Sequence, residues 1–222
     1  PSSSAAPAAA ARGGLYGNRK IELRKASATL PRLIAIGSST GGPQALLEVL
    51  RDMAANVKLP ILITQHMPAT FTTLLAEHIG RATGVPCAEA QDGDVVNAGQ
   101  IYLAPGNYHM VAERSGTDTV LRLNQDPPEN FCRPAVDPML RSLAKIYGPS
   151  LLTVILTGMG SDGQKGSSEV VEAGGTVIAQ DEATSVVWGM PGAVATSGLC
   201  SAVLPIKEIG PSVRKLVMRS AA

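Results

Sequence analysis

A chain of 222 residues with 45% hydrophobic residues is long enough for one domain, or a domain with a tail, around a sizeable core. Its 19 Lys and Arg against 18 Asp and Glu leave a formal net charge of +1, which provides no broad basic field for nucleic acid or for an anionic membrane surface. Cys87, Cys132 and Cys200 are odd in number, widely spaced and without a CxxC pair, so they indicate neither a disulfide framework nor a zinc site and suit a reducing cytoplasm.

Residues 1–30 are rich in Ala, Ser, Pro and Gly, then basic through Arg19-Lys20 and Arg24-Lys25, and have little hydrophobic periodicity. They are expected to be a flexible linker or tail, with the folded domain over 31–222. The first residues lack the basic start and leucine-rich core of a signal peptide. From Arg32 onward apolar runs alternate with helical patterns: 33–36, a helix over 43–54, 61–64, a helix over 70–82, then 151–156, a helix over 164–173, 176–179 and a last helix over 207–218. This alternation predicts a doubly wound α/β fold, with a mostly parallel sheet covered by helices on both faces. Between the halves, the segments 100–104, 109–113 and 118–123 read as a small antiparallel hairpin insertion. Residues 184–206 carry no charge and are long enough to span a bilayer, but Gly189, Pro191, Gly192 and Gly198 break the stretch, which suits a buried loop, short helix and strand. No membrane insertion is expected.

The first apolar run breaks into Gly37-Ser38-Ser39-Thr40-Gly41-Gly42, in which Gly37-x-Ser39-x-Gly41 has the form of a nucleophile elbow. A strand-to-helix turn tight enough to expose one hydroxyl leaves no room for neighbouring side chains, hence the glycines. Ser39 is the candidate nucleophile. The same segment also suits a phosphate-cradling loop or a helix cap, so the motif alone leaves these readings open.

A serine needs a base, most often a histidine held by a carboxylate. His66 follows the run 61–64 directly and so emerges at a strand's C-terminal end, where sites of open α/β sheets assemble. His78 falls inside an amphipathic helical pattern and reads as a surface or packing residue, while His109, near a hairpin, is either a loop-rim residue or solvated. Asp162, beyond the run 151–156, is the candidate carboxylate, with an N-cap for the following helix as its alternative role. Asp92, Asp94, Asp126, Asp137 and Asp181 read as loop or cap residues. The chain order Ser, His, Asp differs from the Ser, Asp, His order of α/β-hydrolases.

The blocks Ile34–Gly42, Gln65-His66-Met67-Pro68, Ile101-Tyr102-Leu103-Ala104-Pro105, Arg133-Pro134-Ala135-Val136-Asp137, Leu156–Gly163 and Met190-Pro191-Gly192 together resemble the catalytic domain of the chemotaxis protein-glutamate methylesterases, the CheB family. The resemblance implies hydrolysis of methyl esters on glutamate side chains of the cytoplasmic helices of bacterial chemoreceptors, deamidation of receptor glutamines, a cytoplasmic location, and no metal or organic cofactor. It places the triad on Ser39, His66 and Asp162 and selects Ser39, just before Thr-Gly-Gly, over Ser38. It also implies oxyanion donors at the Thr40 N–H and in the Met159 loop, although core packing is the alternative for Met159. Many members carry an N-terminal receiver domain that covers the site until phosphorylated; no receiver-like repeat precedes Arg32, so residues 1–30 are expected to be an interdomain linker. A general serine esterase acting on a small ester, and a phosphate- or nucleotide-binding module, are the competing classes.

Overall fold

The computed structural model describes residue 16, residues 20–53 and residues 56–218. Most of the expected tail, residues 1–15 and 17–19, and the end of the helix expected over 43–54 lie outside them. Seven strands form one parallel sheet in the order β3-β4-β2-β1-β7-β8-β9: β1 Leu33–Ser38, β2 Ile61–Gln65, β3 Cys87–Glu89, β4 Ile101–Leu103, β7 Leu151–Ile155, β8 Thr176–Gln180 and β9 Ala202–Leu204. A separate antiparallel ladder joins β5 His109–Ser115 to β6 Asp118–Asn124. The helices are α1 Gly42–Met53, α2 Ala69–Thr83, α3 Val136–Tyr147, α4 Gln164–Glu172, α5 Met190–Thr196 and α6 Ile206–Met218.

The strand period of two explains the layers. Ile34 and Ile36 of β1 point into a core with Leu46, Leu50, Ile79 and Ile209 from α1, α2 and α6. Leu33 and Ala35 point to the opposite face, against Met139, Leu140, Val170 and Val194 from α3, α4 and α5. With both faces covered, β1, β2, β7 and β8 are buried along their whole length, which is why they read as mostly apolar runs without polar alternation.

Two expectations are corrected. Ile101–Leu103 does not belong to the antiparallel insertion: β4 pairs parallel with both β2 and β3, and all three of its residues are buried. A three-residue strand is too short to show whether its apolar residues face one core or two. The helix α3 is absent from the expected elements, although its buried Val136, Met139, Leu140 and Leu143 have helical spacing; Pro138, permissible in a first turn, interrupts the pattern to the eye. Residues 184–206 contain α5 and β9, and among the described residues no helix is long and apolar enough to cross a membrane.

The described part of the first thirty residues lies against the domain. Tyr16 donates its hydroxyl to Gly189 O at 2.9 Å and packs edge-on to Trp188, while Arg24 N donates to Cys200 O and Ser27 N to Thr176 Oγ1, each at 2.8 Å.

Leu103→Ala should cost about 2–5 kcal/mol in urea unfolding, as expected of a leucine deleted from a packed core. A loss under about 1 kcal/mol, typical of an exposed hairpin position, would contradict its place in the central sheet.

Candidate active site

The neighbouring strands β2, β1 and β7 deliver the three candidate residues to one edge. Ser39 follows β1, and His66 follows β2, its N–H donating to Ser38 O at 3.0 Å. Asp162 sits in the loop between β7 and α4. Because all three strands are parallel, these are their C-terminal ends, and the chain leaves β1 and β7 toward opposite faces of the sheet there.

The backbone at Ser39 is clamped on two sides. Its N–H donates to Thr157 O at 3.0 Å, and its carbonyl accepts from Gly42 N at 2.7 Å and Gln65 Nε2 at 2.9 Å. Gly41 holds φ +79°, and a Cβ at Gly42 would come within 1.9 Å of Gln65 Oε1, so the turn admits no side chain at either position. Gly158 packs so closely that a Cβ there would lie 2.8 Å from Ser39 Cβ, which brings the Met159 loop beside the serine. The two serines separate cleanly. Ser38 is fully buried and donates to Gln65 Oε1 at 2.6 Å, whereas Ser39 is half-buried and its Oγ has no hydrogen-bond partner among the described residues.

His66 and Asp162 are joined by a 2.6 Å bond between Nε2 and Oδ2. Asp162 is buried, and its carboxylate also accepts from Val136 N at 2.6 Å, Asp137 N at 3.0 Å, Asn130 Nδ2 at 2.9 Å and Gly163 N at 2.9 Å. Burial alone would raise its pKa, but the bonds from His66 and Val136 N, with the nearby imidazole, outweigh burial and hold it below the ordinary carboxylate range. The Val136 and Asp137 amides open α3, where the helix dipole also favours a negative charge.

Asp162 is not the cap of α4: no side chain caps that helix at Gly163, and the Gly166 amide donates to Asp137 Oδ1 at 2.7 Å instead. Asp137, expected as a loop or cap residue, is a buried member of α3 that also accepts from Gly163 N and Asn130 Nδ2. Burial pushes its pKa up, offset only in part by these donors.

The other ring nitrogen of His66, Nδ1, lies 3.4 Å from Cys132 Sγ. Burial and the charge of Asp162 push the Cys132 thiol up, so a neutral thiol faces the imidazole. His78 is exposed on α2. His109 is neither at the rim nor solvated: it is buried, accepts from Ala135 N at Nδ1 (3.2 Å) and so carries its proton on Nε2, toward Pro127 O at 3.1 Å. Met159 is 68% exposed, which rules out core packing, and neither the Thr40 nor the Met159 N–H donates to a protein acceptor among the described residues.

From the sequence alone, Asn130 and Cys132 have no role at this site and Asp137 has only that of a loop or cap residue. Only the block Arg133–Asp137 carried a signal near them, because an asparagine or cysteine between two elements has no periodicity that reports its contacts.

Residues 34–213 match the family model for CheB methylesterase. The chain belongs to the CheB methylesterase family. It is 65% identical over 200 residues to protein-glutamate methylesterase/protein-glutamine glutaminase 1 of Paramagnetospirillum magneticum, covering 90% of this chain and 52% of that protein. The protein of the same name from Rhodospirillum rubrum is 63% identical over 203 residues, covering 90% of this chain and 51% of that protein. The chain thus spans about half the length of the curated relatives it matches. Among solved structures, the Thermotoga maritima CheB methylesterase catalytic domain superposes with a TM-score of 0.82 at 39% identity, over 85% of this chain and 100% of that one.

The lowered pKa of Asp162 has a stability consequence. Its ionised form stabilises the fold above the unfolded carboxylate value of about 4, and this contribution is lost as pH falls through the lower folded value. Asp162→Asn leaves at least one of the donors unanswered, so it should unfold about 3 kcal/mol more easily at pH 7, and the gap should close on acidification below about pH 4. Urea unfolding of both proteins across that range checks this; a gap independent of pH would contradict it.

Proposed function

We propose that this chain is a serine hydrolase that removes methyl esters from glutamate side chains of chemoreceptor cytoplasmic helices and deamidates glutamines at such sites. The 2.6 Å His66–Asp162 pair, delivered to the same sheet edge as a Ser39 whose Oγ has no partner among the described residues, carries this reading. Since Nε2 is committed to Asp162, Nδ1, which faces the Cys132 thiol at 3.4 Å, is the nitrogen that would exchange this contact for Ser39 and take its proton as Oγ attacks the ester carbonyl. Asp162 fixes the ring and stabilises the imidazolium. The free N–H groups of Thr40 and Met159 receive the oxyanion, which is worth most in a site that needs no reorganisation. On collapse, the C–O bond to the methoxy group breaks, His66 returns its proton to the leaving oxygen and methanol departs. Water, deprotonated by His66, then attacks the glutamyl-enzyme, frees the carboxylate and restores Ser39.

A carboxamide carbonyl presents the same geometry with ammonia as the leaving group, which is how one site serves both ester and glutamine. The names of the relatives, protein-glutamate methylesterase/protein-glutamine glutaminase, support both activities. A phosphate-binding loop would need the elbow amides but not His66 and Asp162 converging beside them. The reading includes the cytoplasm as the place of action. It also includes a receiver domain as regulatory partner, which, packed over this sheet edge in a longer chain, would block access to Ser39 until phosphorylated.

Methanol release from methylated chemoreceptor membranes tests the proposal. Ser39→Ala should lower the rate by at least about a thousand-fold, as removal of a triad nucleophile does. Ser38→Ala, which deletes one buried hydrogen bond worth about 1 kcal/mol, should stay within a few-fold of the parent. Equal damage from the two would contradict the nucleophile; no methanol from the parent, with hydrolysis of a soluble ester intact, would favour the general esterase.

A further inference from the structure

Between β6 and α3, Glu129 and Cys132 exchange two backbone hydrogen bonds, Glu129 N to Cys132 O at 3.1 Å and Cys132 N to Glu129 O at 2.9 Å. They close a two-residue turn in which Asn130 (φ +51°) and Phe131 (φ +64°) both take the left-handed conformation. Asparagine tolerates that region, but the second central position of such a turn suits glycine, and a bulky side chain there is strained. Strain of this kind persists where surrounding structure enforces it, and it clusters at functional sites. Here the fold obtains no packing in return: the Phe131 ring is fully exposed, at 103%.

The turn is tied to the catalytic pair on both sides of Phe131. Asn130 Nδ2 donates to Asp162 Oδ1 and to Asp137 Oδ2, each at 2.9 Å, and Cys132 Sγ stands 3.4 Å from His66 Nδ1. Glu129 is ion-paired with Arg141 of α3, which anchors the base of the turn. Phe131 therefore projects into solvent from a turn whose backbone is tied on both sides, one residue before the Cys132 that contacts His66 Nδ1. From other loops at the same sheet edge, Met159 is 68% exposed on the β7–α4 loop, and Val186, 70% exposed, lies over Gly41 at the elbow. A small ester held at Ser39 would leave these side chains in water. A polypeptide presenting one of its side chains at this sheet edge meets loops that carry these exposed apolar side chains.

We propose that Phe131 is a substrate-contact residue that packs against the apolar flank of the polypeptide carrying the glutamyl ester, and so favours protein-borne esters over small ones. The inference rests on the function proposed above and adds to it the surface that reads the polypeptide around the ester. The turn fixes the backbone that carries the ring, and a phenylalanine side chain has only two torsions to lose on contact, which suits it to this role.

The experiment compares kcat/KM for methanol release from methylated receptor membranes with kcat/KM for p-nitrophenyl acetate, in the parent and in Phe131→Gly and Phe131→Tyr, alongside thermal melting. Phe131→Gly relieves the left-handed strain and should melt no lower than the parent, yet the ratio of the two activities should fall about ten-fold through a higher KM for the receptor. Phe131→Tyr should keep the ratio. A ratio unchanged in Phe131→Gly would overturn the proposal, as would an equal loss of both activities with a lower melting temperature, which would make Phe131 structural. A parent that releases no methanol would overturn the proposed function and this contact together, and is told apart because it needs no variant.

Discussion

Asp162 is a carboxylate shut away from water, and it stays ionised because five donors from separate parts of the chain meet its two oxygens: His66 Nε2, Asn130 Nδ2 and the amides of Val136, Asp137 and Gly163. An uncompensated buried charge costs several kcal/mol or neutralises itself, so each donor must be delivered accurately. That requirement explains much of the architecture at this edge. The parallel register of β1 and β2 sets His66 beside the elbow, and the first turn of α3 offers two amides that a helix leaves unpaired.

Asp137 extends the same logic. It is buried beside Asp162, shares the donors Asn130 Nδ2 and Gly163 N with it, and takes the Gly166 amide that α4 would otherwise leave open. The two acids differ in outcome because of what surrounds them. At Asp162 burial is outweighed by bonds from the imidazole and the Val136 amide, which shift it down, while burial and the charge of Asp162 shift Asp137 up. A pair of acids with opposed shifts ties the N-termini of α3 and α4 to the candidate site. The cost of burying both is the kind of expense that fold stability alone does not explain.

Much of this was legible in the sequence, because its physical causes are local. Glycines flank Ser39 since the turn excludes side chains, and mostly apolar runs mark strands buried on both faces. Ser39, His66 and Asp162 could be named because each lies just past such a run. What stayed hidden depends on contacts across the fold. β4 is three residues long, and α3 is disguised by Pro138. Nothing near His109 in sequence announces that its ring will be buried between Ala135 and Pro127. Asn130 and Cys132 gain their partners only when the turn closes, and Asp137 looks like any acid in a first helical turn until α4 is placed against it.

The proposed proton transfer depends on which nitrogen of His66 is bonded to Asp162. With Nε2 bonded to Asp162 at 2.6 Å, the neutral ring must carry its proton on Nε2 and keep the Nδ1 lone pair for the serine. Nitrogen NMR of the protein labelled in its histidine rings, at a pH where the imidazole is neutral and with His66→Gln used to assign the signals, reads this tautomer directly. The structure predicts a protonated Nε2 and a bare Nδ1 for His66. A proton on Nδ1 would contradict the hydrogen bond on which the proposed mechanism depends.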